Sequence, residues 1–325
     1  MISVDFSSSN IRSWSRLGTS GVIGLVLEEI AQRDKDLAVL TADLSSYAGL
    51  DKFEENYPDM YYNVGIAEQN MIGVACGMAA EGLNTFAMSY ASFAVNRCFD
   101  QIKCGMGYMG LPVKLIGMAS GYSIGILGAT HMECNDITLM NSIPNMTIVC
   151  PADAGETVKT IEALAQYDAP TYIRLTGGVP CPPVYKNDFS FEIGKSNWLI
   201  KNGTDAVIVA NGSMVYEAIR AASKLETENI HISVLDMHTI YPFDRDTIKE
   251  ISDCGFNLVI TAEEHCIKGG MGYEVAEELQ SLNYHGNIYK IGARNTFEHA
   301  GPYDALKKAN HLSSEHLADL CRHCL

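Results

Sequence analysis

Residues 61–82 read YYNVGIAEQNMIGVACGMAAEG and join a short strand pattern to a long helix pattern. The β-favouring residues stop at Gly65, and apolar side chains then recur every three or four positions, which predicts a helix with one apolar face. Glu68 falls in the first turn of this helix, where unpaired backbone N–H groups and the helix dipole favour a carboxylate. Taken alone, this acid is ordinary for a helix start and indicates no function.

Short apolar strand patterns alternate with helix patterns along the rest of the chain, which is typical of mainly parallel sheets covered on both faces. Three prolines and paired glycines within residues 176–192 mark a linker. The sequence therefore predicts an α/β protein with two doubly wound domains, residues 1–185 and the smaller 186–325. Residues 1–15 are polar and are expected to form an arm or loop, and residues 91–104 a single helix.

The net charge of −16 argues against non-specific binding to nucleic acid and to anionic membranes. No apolar run approaches the ~20 residues of a membrane span, and the first residues lack the basic and apolar regions of a secretory signal. Ten cysteines lie scattered, mostly in apolar segments, which is typical of reduced thiols in a cytoplasmic protein. Cys321 and Cys324 have CxxC spacing without a second pair, so we expect no metal site in this chain.

Several short motifs follow one another along the chain. They are Gly-Ile-Ala-Glu-Gln-Asn-Met (65–71), Ser-Tyr-Ala-Ser-Phe (89–93), Gly-Ala-Thr-His (128–131), Ser-Ile-Pro-Asn-Met (142–146), Glu-Glu-His (263–265) with Gly-Gly-Met-Gly (269–272), and His-Ala-Gly-Pro-Tyr (299–303). Each motif is weak alone, but in this order the sequence resembles the C-terminal half of a transketolase, or the second subunit of a split one. The resemblance implies a thiamine diphosphate pyrimidine-binding domain followed by a transketolase C-terminal-like domain.

The resemblance also implies that thiamine diphosphate binds between domains of different chains. Glu68 matches the family's catalytic glutamate, which hydrogen-bonds the aminopyrimidine ring and favours the imino form that removes the thiazolium proton. Tyr90 and Phe93 match aromatic residues that form a wall against this ring, and Ile66 is assigned to the same cofactor site. Asp43 matches a strand-end acid near the cofactor and the dimer interface.

Two further residues are assigned to the substrate by the resemblance. His131 matches a histidine that contacts substrate hydroxyls and is a second candidate catalytic residue, and Arg16 matches an arginine that binds substrate phosphate. Three other polar contacts of the family are replaced here, by Ala119, Leu127 and Gly177. Because glycine cannot replace an arginine–phosphate fork without loss, we expect a ketol or acyl transfer with a non-standard donor or acceptor.

The family's Mg²⁺ and diphosphate motif, Gly-Asp-Gly followed by Asn, does not occur in the sequence. The resemblance therefore implies an N-terminal, diphosphate-binding partner subunit that holds most of the Mg²⁺ contacts, an α2β2 assembly, and self-association through this subunit. The implied activity is transfer of a two-carbon ketol unit from a ketose donor to an aldehyde acceptor. Two alternatives stay open: the beta subunit of a 2-oxo-acid dehydrogenase first component, and a non-catalytic scaffold subunit of the same fold.

Overall fold

The computed structural model describes residues 4–325, which contain twelve strands and thirteen α-helices. The strands are β1 Leu37–Thr41, β2 Tyr61–Asn63, β3 Asn84–Tyr90, β4 Lys114–Met118, β5 Thr147–Val149, β6 Thr171–Arg174, β7 Asn197–Ile200, β8 Ala206–Ala210, β9 Ile232–Asp236, β10 Thr239–Tyr241, β11 Leu258–Cys266 and β12 Asn287–Ala293. The helices are α1 Ser8–Gly21, α2 Ile23–Arg33, α3 Asp51–Asn56, α4 Glu68–Ala80, α5 Ala91–Ala94, α6 Phe99–Gln101, α7 Asp136–Asn141, α8 Ala154–Leu164, α9 Met214–Glu226, α10 Arg245–Cys254, α11 Met271–Ser281, α12 Tyr303–Ala309 and α13 Ser314–Cys324.

The first sheet has seven strands in the order β10-β5-β6-β4-β3-β1-β2. Six of them run parallel, and β10 pairs with β5 in the antiparallel direction. All of β1 is buried, because Leu37 and Val39 pack into a core with α1, α2 and α8, while Ala38 and Leu40 pack into a second core with α4. Burial on both faces explains why this strand reads as a continuous apolar run.

The second sheet has five strands in the order β12-β11-β8-β9-β7, of which only β7 pairs in the antiparallel direction. Ile208 of β8 packs into a core with α9 and α13, while Val207 and Val209 join the core that also holds the α4 residues. The two sheets are therefore connected through one shared apolar core. The predicted fold class, two doubly wound α/β units with mainly parallel sheets, is confirmed. By length and hydropathy, the helices of the described chain all fall short of a membrane span.

Two local predictions were wrong. Residues 1–15 were expected to form a polar arm, and residues 1–3 lie outside the described residues. The rest of this segment contains the start of α1, because Ser7 caps the helix and the apolar side chains of Ile11 and Trp14 are buried. The single helix expected at residues 91–104 is instead broken into α5, α6 and a π-helical segment, Ile102–Tyr108. Apolar content alone could not distinguish these backbone forms.

Glu264, in β11, connects the two halves of the chain. Its carboxylate accepts hydrogen bonds from the Tyr122 N–H at 2.7 Å, from the Tyr303 hydroxyl at 2.6 Å and from the Ser213 hydroxyl. Tyr122 belongs to the first half and the other two donors to the second, so one buried acid ties three segments together. Such a fully hydrogen-bonded polar group specifies the packing of the halves against each other.

A second group of polar contacts between the two halves of the chain, which we call the junction, involves acidic side chains. Tyr185 of the linker donates its hydroxyl to Asp236 at 2.7 Å and its N–H to Asp153 at 3.1 Å. Glu156, which accepts from the Ala152 N–H at 2.7 Å, lies against Asp236. Burial raises the pKa of Asp236 to about 7, and burial together with the Asp236 charge raises the pKa of Glu156 well above its usual range. We call Glu156 and Asp236 the junction carboxyl pair, and burial of two acids side by side favours keeping a proton on the pair near neutral pH.

Candidate active site

Glu68 is the first residue of α4, and its side chain is only 3% exposed. The Arg97 guanidinium donates from Nη1 to Glu68 Oε2 at 3.1 Å. This partner matters because a buried carboxylate without one is costly to the folded state. The Arg97 side chain is itself 49% exposed, so the ion pair lies where the protein interior opens to the surface.

Three side-chain rings lie next to this ion pair. The Arg97 guanidinium lies over the Phe93 ring, 4.5 Å from its centroid. Phe93 meets His131 edge-on at 5.0 Å, and Tyr90 lies 6.2 Å from His131 and 6.1 Å from Phe93. The structure thus brings together four of the residues predicted from sequence, with Glu68 joined to the rings through Arg97. We call Tyr90, Phe93 and His131 the aromatic cluster.

The backbone explains how these rings meet. Tyr90 is the last residue of β3, and Phe93 falls in the short helix α5 that begins at the next position. The carboxyl ends of parallel strands are where open α/β sheets place ligands. His131 reaches the rings from a loop that turns at Gly128, whose φ of 86° is accessible to glycine without strain. Thr130 Oγ1 lies 3.0 Å from His131 Nδ1 and helps to orient the imidazole.

A cavity of about 340 Å³ contains the predicted phosphate-binding residue. Arg16 lines it together with Ala119 and Gly177, two of the positions where the sequence departs from the family pattern. Tyr47 lines the same cavity, and its ring meets Tyr90 edge-on at 4.9 Å. This space, which we call the Arg16 cavity, therefore adjoins the aromatic cluster.

Asp43 lies at the carboxyl end of β1, with a φ of 60°. Ala119 follows β4 with a φ of 54°, in the same left-handed region that costs about 1 kcal/mol or more for a residue with a Cβ. The Asp43 carboxylate accepts from Asn63 Nδ2 at 3.2 Å, and the Asp43 N–H donates to Asn63 Oδ1 at 3.1 Å. Asp43 thus shares the sheet edge with the aromatic cluster, while its hydrogen-bonding partner among the described residues is Asn63.

Exposed apolar side chains lie close in sequence to two residues of the site. Ile66, two residues before Glu68, is 78% exposed. Ile126 and Leu127, in the loop that leads to His131, are 70% and 52% exposed. All three are apolar side chains left exposed to solvent near residues of the candidate site.

Arg174 does not replace the arginine that is missing at Gly177. The Arg174 side chain is fully buried, and its Nε donates to Asp136 at 2.8 Å. Its Nη2 donates to the carbonyl of Glu264 at 2.9 Å. Because its charge is compensated inside the protein, Arg174 is a structural residue and is not available to a substrate phosphate.

Two residues of the site were missed by sequence reasoning. Arg97 contacts Glu68 from a segment 29 positions away, and its one local signal is the spacing of four residues from Phe93. Tyr47 precedes α3 in a turn without a motif, and only the fold brings its ring against Tyr90. Both contacts are long-range, which the pattern of a single segment cannot show.

Across residues 4–325, no group of three or more His, Cys, Asp or Glu side chains has metal-binding geometry. Cys321 is buried on α13 and Cys324 is half-buried at the end of the same helix, and both are free thiols.

Two family matches cover most of the chain. Residues 15–178 match the transketolase pyrimidine binding domain, and residues 194–317 match the transketolase C-terminal domain. This chain therefore belongs to the transketolase family, and it carries the family's pyrimidine binding domain followed by its C-terminal domain.

Relatives with assigned names include subunits of transketolases. The chain is 38% identical over 254 residues to an apulose-4-phosphate transketolase subunit of Phocaeicola vulgatus, covering 78% of this chain and 80% of that protein. It is 35% identical over 292 residues to a 6-deoxy-6-sulfo-D-fructose transketolase subunit of Clostridium sp. (strain MSTE9), covering 90% and 89%. A solved structure of a split gene transketolase in an inactive beta4 tetramer superposes with a TM-score of 0.84 at 35% identity, covering 95% of this chain and 98% of that one.

Proposed function

We propose that this chain is the C-terminal subunit of a split, thiamine diphosphate-dependent transketolase that moves a two-carbon ketol unit from a ketose to an aldehyde. One observation carries the proposal: a buried carboxylate, Glu68, opens toward the surface beside the aromatic cluster. In the reaction, the bond between C2 and C3 of the ketose breaks and releases an aldehyde two carbons shorter. A new bond then joins the two-carbon unit to the carbonyl carbon of the acceptor, with no net oxidation.

Transketolases use thiamine diphosphate, which supplies the nucleophilic carbon for this transfer when it is bound. The residues present fit its aminopyrimidine. Glu68 offers a carboxylate oxygen to the ring nitrogen, since Arg97 contacts Oε2 alone. Tyr90 and Phe93 offer flat apolar surfaces beside it, with Ile66 on the exposed side. A proton held between Glu68 and the ring nitrogen is the contribution of this chain to activating the cofactor.

The remaining predicted residues are assigned to the sheet edge and the substrate. We assign Asp43 to the cofactor side of the site, where its contact with Asn63 fixes the ends of β1 and β2. His131 is assigned to substrate hydroxyls, because it lies in the aromatic cluster with a half-exposed imidazole. Arg16 is assigned to an anionic group of the substrate, because it is the one cation among the described residues that line its cavity.

A non-standard substrate is part of the proposal. Ala119 and Gly177 leave the Arg16 cavity with fewer polar groups than the family pattern implies, and the exposed Leu127 replaces an expected acid. The names of two relatives refer to apulose-4-phosphate and 6-deoxy-6-sulfo-D-fructose, which are uncommon sugars. These features support a sugar outside the usual pentose phosphates as donor or acceptor.

We further propose an N-terminal partner subunit that binds the diphosphate and Mg²⁺ in an α2β2 assembly, with contacts between two copies of this chain. The exposed apolar residues Ile66, Ile126 and Leu127 support a partner that covers the site. The relative named split gene transketolase is described as inactive in its beta4 form, which supports the need for that partner. The domain division at residues 1–185 and 186–325 belongs to the same proposal, as does a cytoplasmic location, consistent with ten free cysteines.

Calorimetric titration of thiamine diphosphate with Mg²⁺ tests this proposal, into the chain alone and into a mixture with a candidate N-terminal subunit. Binding only in the mixture, together with turnover of β-hydroxypyruvate and glycolaldehyde, is expected. Tight binding to the chain alone would contradict the split site. A stable complex of the two subunits that neither binds the cofactor nor turns over these substrates would identify a scaffold and overturn the proposal.

A further inference from the structure

Glu133 lies two residues after His131 and is a buried acid to which the proposed function gives no role. The residue is only 2% exposed. Its backbone pairs with that of Gly121, whose N–H donates to the Glu133 carbonyl at 2.6 Å and whose carbonyl accepts from the Glu133 N–H at 3.1 Å. Arg174 Nη2 also donates to the Glu133 carbonyl, at 3.2 Å. The Glu133 backbone is therefore a fixed point from which the loop with His131 extends.

The carboxylate of Glu133 connects this loop to the segment that carries Phe93. Asn96 donates from Nδ2 to Glu133 Oε2, and the Asn135 N–H donates to Oε1 at 2.8 Å. The Asn96 amide also donates to the carbonyl of Ser92, the residue before Phe93, at 3.2 Å. One asparagine side chain thus joins the buried acid to the backbone beside the aromatic cluster.

The break between α5 and α6 places two hydrogen-bond donors side by side. Asn96 and Arg97 both lie in this break, and each of them donates to a different buried acid. Asn96 contacts Glu133, whereas Arg97 contacts Glu68 and also lies over the Phe93 ring. Two consecutive residues therefore connect the carboxylate assigned to the cofactor with the loop whose histidine is assigned to the substrate.

The ionised form of Glu133 makes this connection best, because a carboxylate accepts hydrogen bonds at both oxygens. Burial and the Asp136 charge raise the pKa of Glu133 to about 7, while the two hydrogen bonds that it accepts and the Arg174 charge act in the opposite direction. The neighbouring groups keep one form near this pH. Although burial opposes it, the Arg174 charge holds the pKa of Asp136 below its usual range, and burial raises the pKa of the Cys134 thiol. The arginine stays charged throughout.

We infer that Glu133 is a positioning residue, which acts through Asn96 to hold the loop with His131 against the aromatic cluster. The inference rests on the proposed function, in which His131 contacts substrate hydroxyls, and it adds a residue that determines how tightly the substrate binds. Without the hydrogen bond between Glu133 and Asn96, the loop is free to move. Part of the binding free energy is then used to order the loop, so the affinity for substrate falls more than the rate at which bound substrate reacts.

The test uses the two-subunit holoenzyme with β-hydroxypyruvate as donor and glycolaldehyde as acceptor. Glu133→Gln keeps the shape of the side chain and one acceptor oxygen, but replaces the other oxygen by an amide donor that faces Asn96. It is expected to raise KM for glycolaldehyde about 5- to 20-fold, and to change kcat and the calorimetric Kd of thiamine diphosphate by less than about twofold. Glu81→Gln is the matched control, since it makes the same chemical change at the exposed C-cap of α4 and should leave all these values unchanged.

Two further measurements distinguish positioning from a general role in folding. Asn96→Ala removes the donor at an exposed residue, so it should raise KM to a similar extent, and the double variant should be no worse than the poorer single variant. In the wild type, KM should rise as the pH falls through about 7, because Glu133 gains a proton. This part of the pH dependence should be absent from Glu133→Gln.

The outcomes separate the inference from the function on which it rests. Equal losses in kcat, KM and cofactor affinity, or additive effects of Asn96→Ala and Glu133→Gln, would show that Glu133 only supports packing. An unchanged KM, or a pH dependence of Glu133→Gln identical to that of the wild type, would show that the loop does not depend on this acid. Each of these results would overturn the inference while the wild-type activity stands. If Glu133→Gln does not fold, Asn96→Ala decides alone, and its unchanged KM would overturn the inference. Absence of turnover by the wild type would overturn the proposed function and this inference together.

Discussion

Replacing Asp236 by asparagine is predicted to stabilise the chain at alkaline pH. Asp236 is fully buried and lies against Glu156 across the junction between the two halves, and the pKa of each carboxyl is raised. Burial raises its pKa from the ordinary 3.8 to about 7, so the folded state holds the proton more tightly than the unfolded state. The resulting stabilisation is fully present below about pH 4 and is lost as the pH rises through about 7.

The size of the effect follows from that difference in pKa. A rise from 3.8 to about 7, at about 1.4 kcal/mol for each pH unit, means that ionising this group in the folded state costs about 4 kcal/mol. Asparagine has the same shape without the charge, and its amide can accept from Tyr185 and donate to Glu156. We expect Asp236→Asn to add about 4 kcal/mol to the free energy of unfolding near pH 8.5, and only about 1–2 kcal/mol near pH 5.

Urea denaturation at several pH values, followed by tryptophan fluorescence, measures this effect. Trp14 lies in α1 and Trp198 in β7, so the two halves each carry one reporter. Asp246→Asn is the matched control, because the Asp246 side chain in α10 is 89% exposed. Wild-type and Asp236→Asn chains whose stabilities change in parallel between pH 5 and 9 would refute the raised pKa of Asp236 at the junction.

Three further predictions concern the site and two helical glycines. Glu68→Gln should lower kcat of the two-subunit enzyme by at least about 100-fold, while Gln69→Ala, at an exposed position, should leave kcat unchanged. A loss of less than tenfold for Glu68→Gln in steady-state assays would argue against a proton-transfer role of Glu68. Arg97→Met should raise the calorimetric Kd of thiamine diphosphate about tenfold, because the Glu68 carboxylate loses the guanidinium that holds it in place. An unchanged Kd would contradict this. In urea denaturation, Gly24→Ala should destabilise the chain by about 3 kcal/mol or more, because its Cβ would overlap the carbonyl oxygen of Gly49. Gly73→Ala, whose Cβ meets no neighbour, should stabilise the chain by about 0.5–1 kcal/mol. Equal changes in stability for the two variants would refute this difference in packing.

The parallel core could be predicted from sequence because its strands are buried on both faces. Leu37 to Thr41 form one uninterrupted run, and Ala206 to Ala210 another, each bounded by helix patterns. Helix α1 was not predicted in this way, since its apolar residues Ile11, Trp14 and Leu17 are few among the polar ones around them. Strand β10 is only three residues long and follows β9 directly, so it offered no separate signal.

The candidate site was predictable where one segment carries its residues, and not where distant segments meet. Glu68, Tyr90 and Phe93 lie at strand and helix boundaries that the pattern predicts locally, and the motifs around them carried the family resemblance that assigned them to the site. The ion pair from Arg97 and the ring contact from Tyr47 join segments that only the tertiary fold brings together. The roles of all these residues stay predictions until the variants are measured.

Strand β10 has a consequence for any attempt to separate the two halves. Thr239 and Tyr241 pair with β5 of the first sheet, although they lie more than fifty positions after the predicted boundary at residue 185. The Cys150 N–H also donates to the carbonyl of His238 at 2.6 Å, which continues this attachment. A protease that cuts the linker would therefore leave two fragments that still elute as one particle. Residues 1–185 expressed alone would expose β5 as an unprotected edge, and would aggregate rather than report on the cofactor site.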